Sequence, residues 1–598
     1  MKQNQCYLEV DLSNGRVETH FLGQSETEMF PGGRALGLHL LSTMLNPGTD
    51  PLSADNLIAF VPGALNGSGT PAGGRFSISA KSPLTNTIAS SNLGGGWGTL
   101  LARKGYAALL LRGRAPEPVL LVMDRERVEF RPAQSLWGLD LPALFEKLAA
   151  EFPPGTRILA IGPAGENLVS FSAIAHDGGR MAGRCGLGAV LGVKQVKALV
   201  LLPGGEARLP AAADDFRAGV RRADRLLRTM PITSKALPQL GTAGLVRLIW
   251  EHDMLPHHNF QDTRHPAEAI EAISGERLRQ DHLLASSGCQ GCRIRCGRST
   301  RAGGRQGEGP EFETIALLGA NLGIYDLEEI SLANYACNEL GLDTISMGNT
   351  LGLAMELQAR GLLPAEALEL PGWPVFDTPG RLEKFIRLTA TRRDAGAWLA
   401  EGARRLAGRC GRPELAMAVK GLELPGYEPR ATMAQALGYA TSPRGGCHLQ
   451  GGYAITLGFF GGAREVDRFL ISTTAGHVVD MQDSGCLADS LGICRFAFFA
   501  FGENEIAALY SAFSGRSVKP SELTAMARRV QDLEREFNLR AGCGPEADTL
   551  PERFFSEEIE IAGRPRKIDR EKHFKPLLDN YYQLRGWNAE GRPGRRDG

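Results

Sequence analysis

The sequence predicts an α+β protein: a β-rich N-terminal domain over residues 1–207, then two mostly helical domains over 208–415 and 416–598. Short apolar runs cut by Gly and Pro fill the first region. Helical apolar spacing takes over after the Pro- and Ala-rich stretch at 203–216, and Gly and Pro interrupt it again at 408–426. With 598 residues and 43% hydrophobic content, the chain can bury cores for about three or four domains.

In the first region Leu8, Val10 and Leu12 alternate with polar residues ahead of Asn14-Gly15, so a strand should turn there and return from Arg16. NLIAFVPG, RFSISAKS, YAALLLRG, VLLVMD and RILAIGP read as further strands. Glycine groups such as LGGGWG suit backbone that approaches a ligand closely, and equally suit tight turns. Farther on, Asp326-Leu327-Glu328-Glu329 has the form of a capped helix start. Leu327, Ile330, Ala333, Cys337 and Leu340 then recur at helical spacing up to Gly341, which places Cys337 on the apolar face. Asn338-Glu-Leu-Gly-Leu-Asp343 is echoed by Asp489-Ser-Leu-Gly-Ile-Cys494. A helix C-cap explains either one alone; two of them in successive helical domains suggest matching contacts to a two-part ligand. The polar tail GRPGRRDG (591–598) reads as disordered.

Lys plus Arg equals Asp plus Glu at 67 each, so no global field favours nucleic acid or an anionic membrane, and an anionic ligand must be held by local groups. Apolar runs such as KALVLLP and FAFFAFG fall far short of the roughly 20 residues that span a bilayer, and MKQNQCYLEVDLSNG lacks an apolar signal core. A cytoplasmic location is the expectation. Eleven cysteines in 598 residues are too sparse for a disulfide scaffold.

Four of those cysteines carry chemistry. Cys289, Cys292 and Cys296 stand in C-x2-C-x3-C spacing, and Cys494 could close the set from a remote segment. Three thiolates so spaced can hold three irons of a cubane, with a fourth completing it. Zinc ribbons pair two C-x2-C knuckles, and the second is missing here, so the spacing favours an iron–sulfur cluster over structural zinc. An electron carrier or a zinc-stabilised scaffold is the reading without catalysis.

PGGRALG (31–37), GGRFSISAKSPLT (73–85), SNLGGGWG (91–98), RMAGRCGLGAVLGVK (180–194), GPEFET (309–314), ELGLDTIS (339–346), LGYATSPRGGCHL (437–449), DSLGIC (489–494) and LDNYYQLRGW (578–587) resemble, in order and from end to end, segments of the aldehyde ferredoxin oxidoreductase family. That resemblance implies a tungsten (or molybdenum) bis-pyranopterin on the β base, a [4Fe-4S] cluster on Cys289, Cys292, Cys296 and Cys494, and Mg2+ between the pterin phosphates. By the same resemblance Arg75, Asn92, Gly94, Arg180, Gly183 and Arg184 would contact the pterins from the base. Asn338 and Asp343 would contact one pterin from the helical side, and Asp489 and Ile493 the other. Asn338 stands where the family commonly has Asp, Gln450 where a basic residue is usual, and Cys185 where Gly is usual.

The resemblance places Glu313 and His448 beside the metal, Glu313 as general base for water and His448 as donor to the carbonyl oxygen. The implied reaction is oxidation of an aldehyde to a carboxylic acid, with electrons passing to ferredoxin or a dedicated iron–sulfur subunit. Reduction of an activated acid on the same cofactor is the alternative. Homodimers and complexes with electron-transfer subunits both occur among the implied assemblies. None of the eleven histidines has Glu three residues before it, so the E-x-x-H metal bridge of some family dimers is not expected.

Overall fold

The computed structural model describes residues 5–125, 127–177, 179–371, 373–458 and 467–594. Before residue 202 it has strands β1 (Cys6–Asp11), β2 (Arg16–Phe21), β3 (Ile58–Pro62), β4 (Arg75–Lys81), β5 (Ile88–Gly94) and β6 (Tyr106–Arg112). These are followed by β7 (Val119–Met123), β8 (Val128–Pro132), β9 (Arg157–Ala160), β10 (Ile174–His176), β11 (Arg180–Ala182) and β12 (Val196–Leu201). The first sheet runs β2-β1-β6-β3-β4-β5 and the second β8-β7-β12-β9-β10-β11. Counted within each half, both orders are 2-1-6-3-4-5. In each half the first and last strands pair in parallel and every other pair is antiparallel. The base is therefore one six-stranded unit built twice, although the two halves share no run of sequence that shows it.

Strand period explains the layering. Ile58 and Phe60 of β3 face the core shared by the two sheets, which also holds Leu109, Leu121, Leu159 and Leu199. Ala59 and Val61 face the other way, toward helix Gly33–Met44 and the C-terminal helices. The β1–β2 hairpin turns through residues 12–15, with Gly15 at φ 73° and its N–H donating to the Asp11 carbonyl, so the connection is longer than a two-residue turn.

Beyond Leu201 the described residues are mostly helical, with two short two-stranded ladders (Ala418–Val419 with Leu422–Glu423, Ile559–Ile561 with Arg564–Arg566) and one larger sheet. Strands β13 (Leu283–Ser287), β14 (Gly297–Ala302) and β15 (Arg305–Glu308) form a small antiparallel sheet inside the first helical region. Its strands are short and largely polar, so no apolar alternation announces them. The helix Leu327–Leu340 forms as its cap predicts: Asp326 accepts the N–H groups of Glu328 and Glu329, Gly341 ends it at φ 78°, and Cys337 is buried. One apolar core joins residues on both sides of position 415, from Leu317 and Leu399 to Leu437 and Phe554. Of the tail, Gly591 is held by Arg535, whose Nε donates to its carbonyl at 2.8 Å; residues 595–598 lie outside the described residues. No helix among the described residues is long and apolar enough to cross a membrane.

The helical part locks onto the base at two equivalent points. Arg75 N–H donates to the Gly492 carbonyl (3.1 Å) and Cys494 N–H to the Ala72 carbonyl (2.9 Å). In the other half Ala173 N–H donates to the Gly341 carbonyl (2.8 Å) and Asp343 N–H to the Phe171 carbonyl (3.1 Å). Each contact needs a glycine on the base: a Cβ on Gly63 would strike the Gly492 backbone, and one on Gly162 would meet the Leu340 carbonyl at 2.5 Å. Gly63→Ala and Gly162→Ala are each expected to cost roughly 1–3 kcal/mol in chemical denaturation, whereas Gly23→Ala, in open space at an ordinary φ, should stay within about 0.5 kcal/mol.

Candidate active site

A cavity opens where the two locked helix ends meet the base, leaving about 2000 Å³ of non-protein space counting its mouth, room for an extended cofactor. Paired strands β4 and β5 supply Arg75, Asn92 and Gly94; β11 and the turn after it supply Arg180, Gly183 and Arg184. Asn338 and Asp343 approach from one helix end and Asp489 from the other, with Glu313, His448, Cys289, Cys292, Cys296 and Cys494 completing the lining. The side chain of Ile493 is not brought in: it is 1% exposed in the core against the first sheet, and the N–H is spent on the Ala488 carbonyl, which leaves its backbone carbonyl for any contact there. The left-handed Gly492 before it turns the side chain away from the cavity.

Buried polar atoms without a hydrogen-bond partner concentrate on this wall. They include Asn92 Nδ2, Arg184 Nε and Nη1, Arg444 Nε, Gln450 Oε1, His448 Nδ1 and Glu313 Oε1. Such groups cost stability unless a ligand answers them, and unfilled guanidinium N–H groups suit phosphate or other anionic oxygen. Arg184 is fixed by Nη2, which donates to the carbonyls of Glu423 (2.6 Å) and Gly446 (2.8 Å), and Nη1 lies 3.6 Å from Asp343. Arg75 is aimed by Nε donating to Asn92 Oδ1 at 2.6 Å. Asp489 pairs with Arg495 at 2.7 Å; burial acts to raise its pKa, but Arg495 and Arg34 hold it below the usual carboxylate value. Gln450 Nε2 donates to the Ser90 carbonyl (2.9 Å), and so does Arg444 Nη1 (2.5 Å), so Arg444 stands a cation beside the position where Gln450 lacks one. Cys185 sits at φ 76°, the conformation glycine adopts freely, which accounts for the glycine expected there.

The cysteine loop, residues 288–296, joins β13 to β14 and tightens through Cys292 N–H donating to the Cys289 carbonyl at 2.9 Å. It lies against the base where Gly94 is: a Cβ there would collide with Cys289 Sγ. Burial raises the pKa of Cys292 and Cys296 and pushes Cys494 up to about 11, and Cys289 and Cys292 add to the effect on Cys494. Four thiolates on one zinc ion, with bonds of about 2.3 Å, would stand about 3.8 Å apart. Among the described residues, the group of three ligand atoms lying within 4.8 Å of one another is His257, His258 and Asp377, not the cysteines. The four cysteines line one cavity without three of their sulfurs meeting that spacing.

Glu313 and His448 face each other, His448 Nε2 lying 3.7 Å from Glu313 Oε1, with side chains 13% and 14% exposed. Gly426 N–H donates to Glu313 Oε2 at 2.8 Å. Burial pushes the Glu313 carboxyl up to about 8 against the pull of that N–H and of Arg184. Burial, with Arg184, Arg444 and Arg495 nearby, holds His448 well below its usual value, so its imidazole is uncharged at neutral pH. Tyr427 and Tyr453 wall this end, their ring centroids 5.8 and 5.6 Å from that of His448, and Phe312 stacks on Tyr427 at 4.9 Å. Tyr427, Tyr453, Arg444 and Arg495 escaped the sequence reading. Only the RGGC context of Arg444, three residues from Cys447, offered any signal there.

The cysteine set, a group of unanswered donors, a buried acid and an uncharged imidazole line one cavity; with the relatives that follow, the chain is an oxidoreductase. The chain belongs to the aldehyde ferredoxin oxidoreductase family: the family's N-terminal domain matches residues 7–202, and its domains 2 and 3 match residues 219–597. The tungsten-containing aldehyde ferredoxin oxidoreductases of Thermococcus kodakarensis and Pyrococcus furiosus are each 39% identical over 593 residues, covering 98% of this chain and 96% of theirs. The WOR-like subunit of an aliphatic sulfonate oxidoreductase from P. furiosus is 28% identical, covering 99% of this chain and 95% of its own. In fold, the active-site complex of benzoyl coenzyme A reductase with 1,5-dienoyl-CoA superposes with a TM-score of 0.85 at 23% identity, covering 99% of this chain and 95% of that one.

Arg184 ties the second half of the base to the segments around Glu423 and Gly446. Arg184→Gln should lose about 1–3 kcal/mol in chemical denaturation by leaving those carbonyls unanswered.

Proposed function

We propose that the cavity holds a tungsten or molybdenum bis-pyranopterin with a [4Fe-4S] cluster on Cys289, Cys292, Cys296 and Cys494 beside it, and that the enzyme oxidises an aldehyde to its carboxylic acid. The observation that supports this most is the set of unanswered donors, Asn92, Arg184 and Arg444, lining the same cavity as the cysteines and the Glu313–His448 pair. The cofactor, when bound, supplies the two-electron oxidant. Aldehyde plus water gives acid, two protons and two electrons, and the electrons leave through the cysteine side to ferredoxin or a dedicated iron–sulfur subunit.

Arg75 and Arg184 would hold anionic oxygens of the cofactor from the base, and Asp343 and Asp489 would accept hydrogen bonds from it at the two helix ends. Gly426 N–H fixes one oxygen of Glu313 and leaves the other free to take a proton from water. His448, uncharged, keeps one ring N–H to give to the substrate carbonyl oxygen as negative charge grows there. Tyr427, Tyr453 and Phe312 narrow this end and exclude bulk water.

Glu313→Gln keeps the shape and the Gly426 contact but cannot accept a proton. Aldehyde-dependent viologen reduction should fall by roughly 10²–10⁴-fold with tungsten and iron contents unchanged, and retained activity would remove Glu313 from this role. Because the base form of Glu313 gains as pH rises through about 8, kcat/KM of the parent enzyme should climb over that range, and the climb should be missing from the residual activity of the variant.

A further inference from the structure

Away from the cavity, HDMLPHHNFQDTRHP (252–266) gathers four of the eleven histidines. Neighbouring side chains ordinarily diverge, but His258, Asn259 and Phe260 all lie in the left-handed region, at φ 47°, 60° and 63°. That backbone brings the rings of His257 and His258 to 3.8 Å between centroids. Left-handed conformation costs about 1–2 kcal/mol at a non-glycine residue, so three in a row persist only where the surroundings enforce them. Here they do: Phe260 is fully buried, and the Asn259 side-chain amide donates to Glu356 (2.6 Å) and to the Leu415 carbonyl (3.1 Å).

Asp377, itself at φ 55°, closes the group from a separate segment, its Oδ1 3.0 Å from His258 Nε2. Gly323 beneath it leaves no room for a Cβ, which would strike that carboxylate. One ligand atom from each of His257, His258 and Asp377 falls within 4.8 Å of the other two. The neighbours are already engaged: His265 bonds through Nδ1 to Tyr325 Oη (2.8 Å) and through Nε2 to the Leu255 carbonyl (3.1 Å), and Asp262 holds Arg264.

We propose that His257, His258 and Asp377 bind one divalent ion of the zinc class, which fastens the 373–380 segment to the 255–262 turn. Two imidazoles and a carboxylate favour borderline first-row ions over Mg2+ or Ca2+. Ligand atoms about 3.3 Å apart suit a tetrahedral ion with bonds near 2.0 Å, which rotation of the exposed Asp377 side chain can reach. The remaining position is open to water. The site adjoins the cavity wall, because the Met254 carbonyl accepts the N–H of Glu428, next to Tyr427.

The test is equilibrium dialysis of the anaerobic holoenzyme against Zn2+, with bound zinc quantified and hydrogen exchange followed on the same samples. The parent protein should take up one equivalent that His258→Gln and Asp377→Asn each bind at least about tenfold more weakly, and exchange should slow in 255–262 and 373–380. Asp377→Asn changes an exposed side chain and keeps the comparison sound if His258→Gln folds poorly. No added equivalent in the parent, equal uptake by parent and Asp377→Asn, or protection confined to other segments would overturn the proposal.

Discussion

Backbone hydrogen bonds from the β base to the carbonyls of Gly341 and Gly492 are the contacts on which the cavity rests. Each ends a long helix in a left-handed glycine and presses the next residues, Asp343 or Cys494, against the base. Backbone-to-backbone contact of this kind tolerates no intervening side chain, hence Gly63 and Gly162 opposite. The two locks sit on equivalent places of a twice-built sheet, so two helix ends reach one cavity from related directions. An elongated ligand with two similar halves fits that arrangement better than a small compact one.

The electrostatics follow from the same closure. Bringing helices onto the base buries Arg184 and Arg444 with N–H groups unfilled, and buries Glu313 and His448 away from bulk water. The cost of those groups is offset once an anionic ligand answers them. Burial also raises the Glu313 carboxyl and lowers the His448 imidazole, so Glu313 once ionised is a stronger base than an exposed carboxylate, and uncharged His448 can donate a hydrogen bond without a strong mutual ion pair.

Chemistry was more legible in the sequence than architecture. The cysteine spacing and the echo around Gly341 and Gly492 are local signals, and the residues they flag do line one cavity, as do Glu313 and His448 from the family resemblance. The doubled sheet was not legible, since strand order is a tertiary property and the halves need share only patterning. The β13–β15 sheet lacks apolar alternation, and Tyr427 and Tyr453 belong to loops that only folding brings to His448. At Ile493 the sequence did not show which part of the residue faces the cavity: its neighbours Asp489 and Cys494 line it, while its own side chain fills the core.

The central claim, a pterin-bound metal with an iron–sulfur cluster beside it, is tested most directly by elemental and pterin analysis of protein purified anaerobically from a host that makes the cofactor. The account predicts one tungsten or molybdenum, about four iron and two pterins per chain. Zinc alone, without pterin, would contradict it.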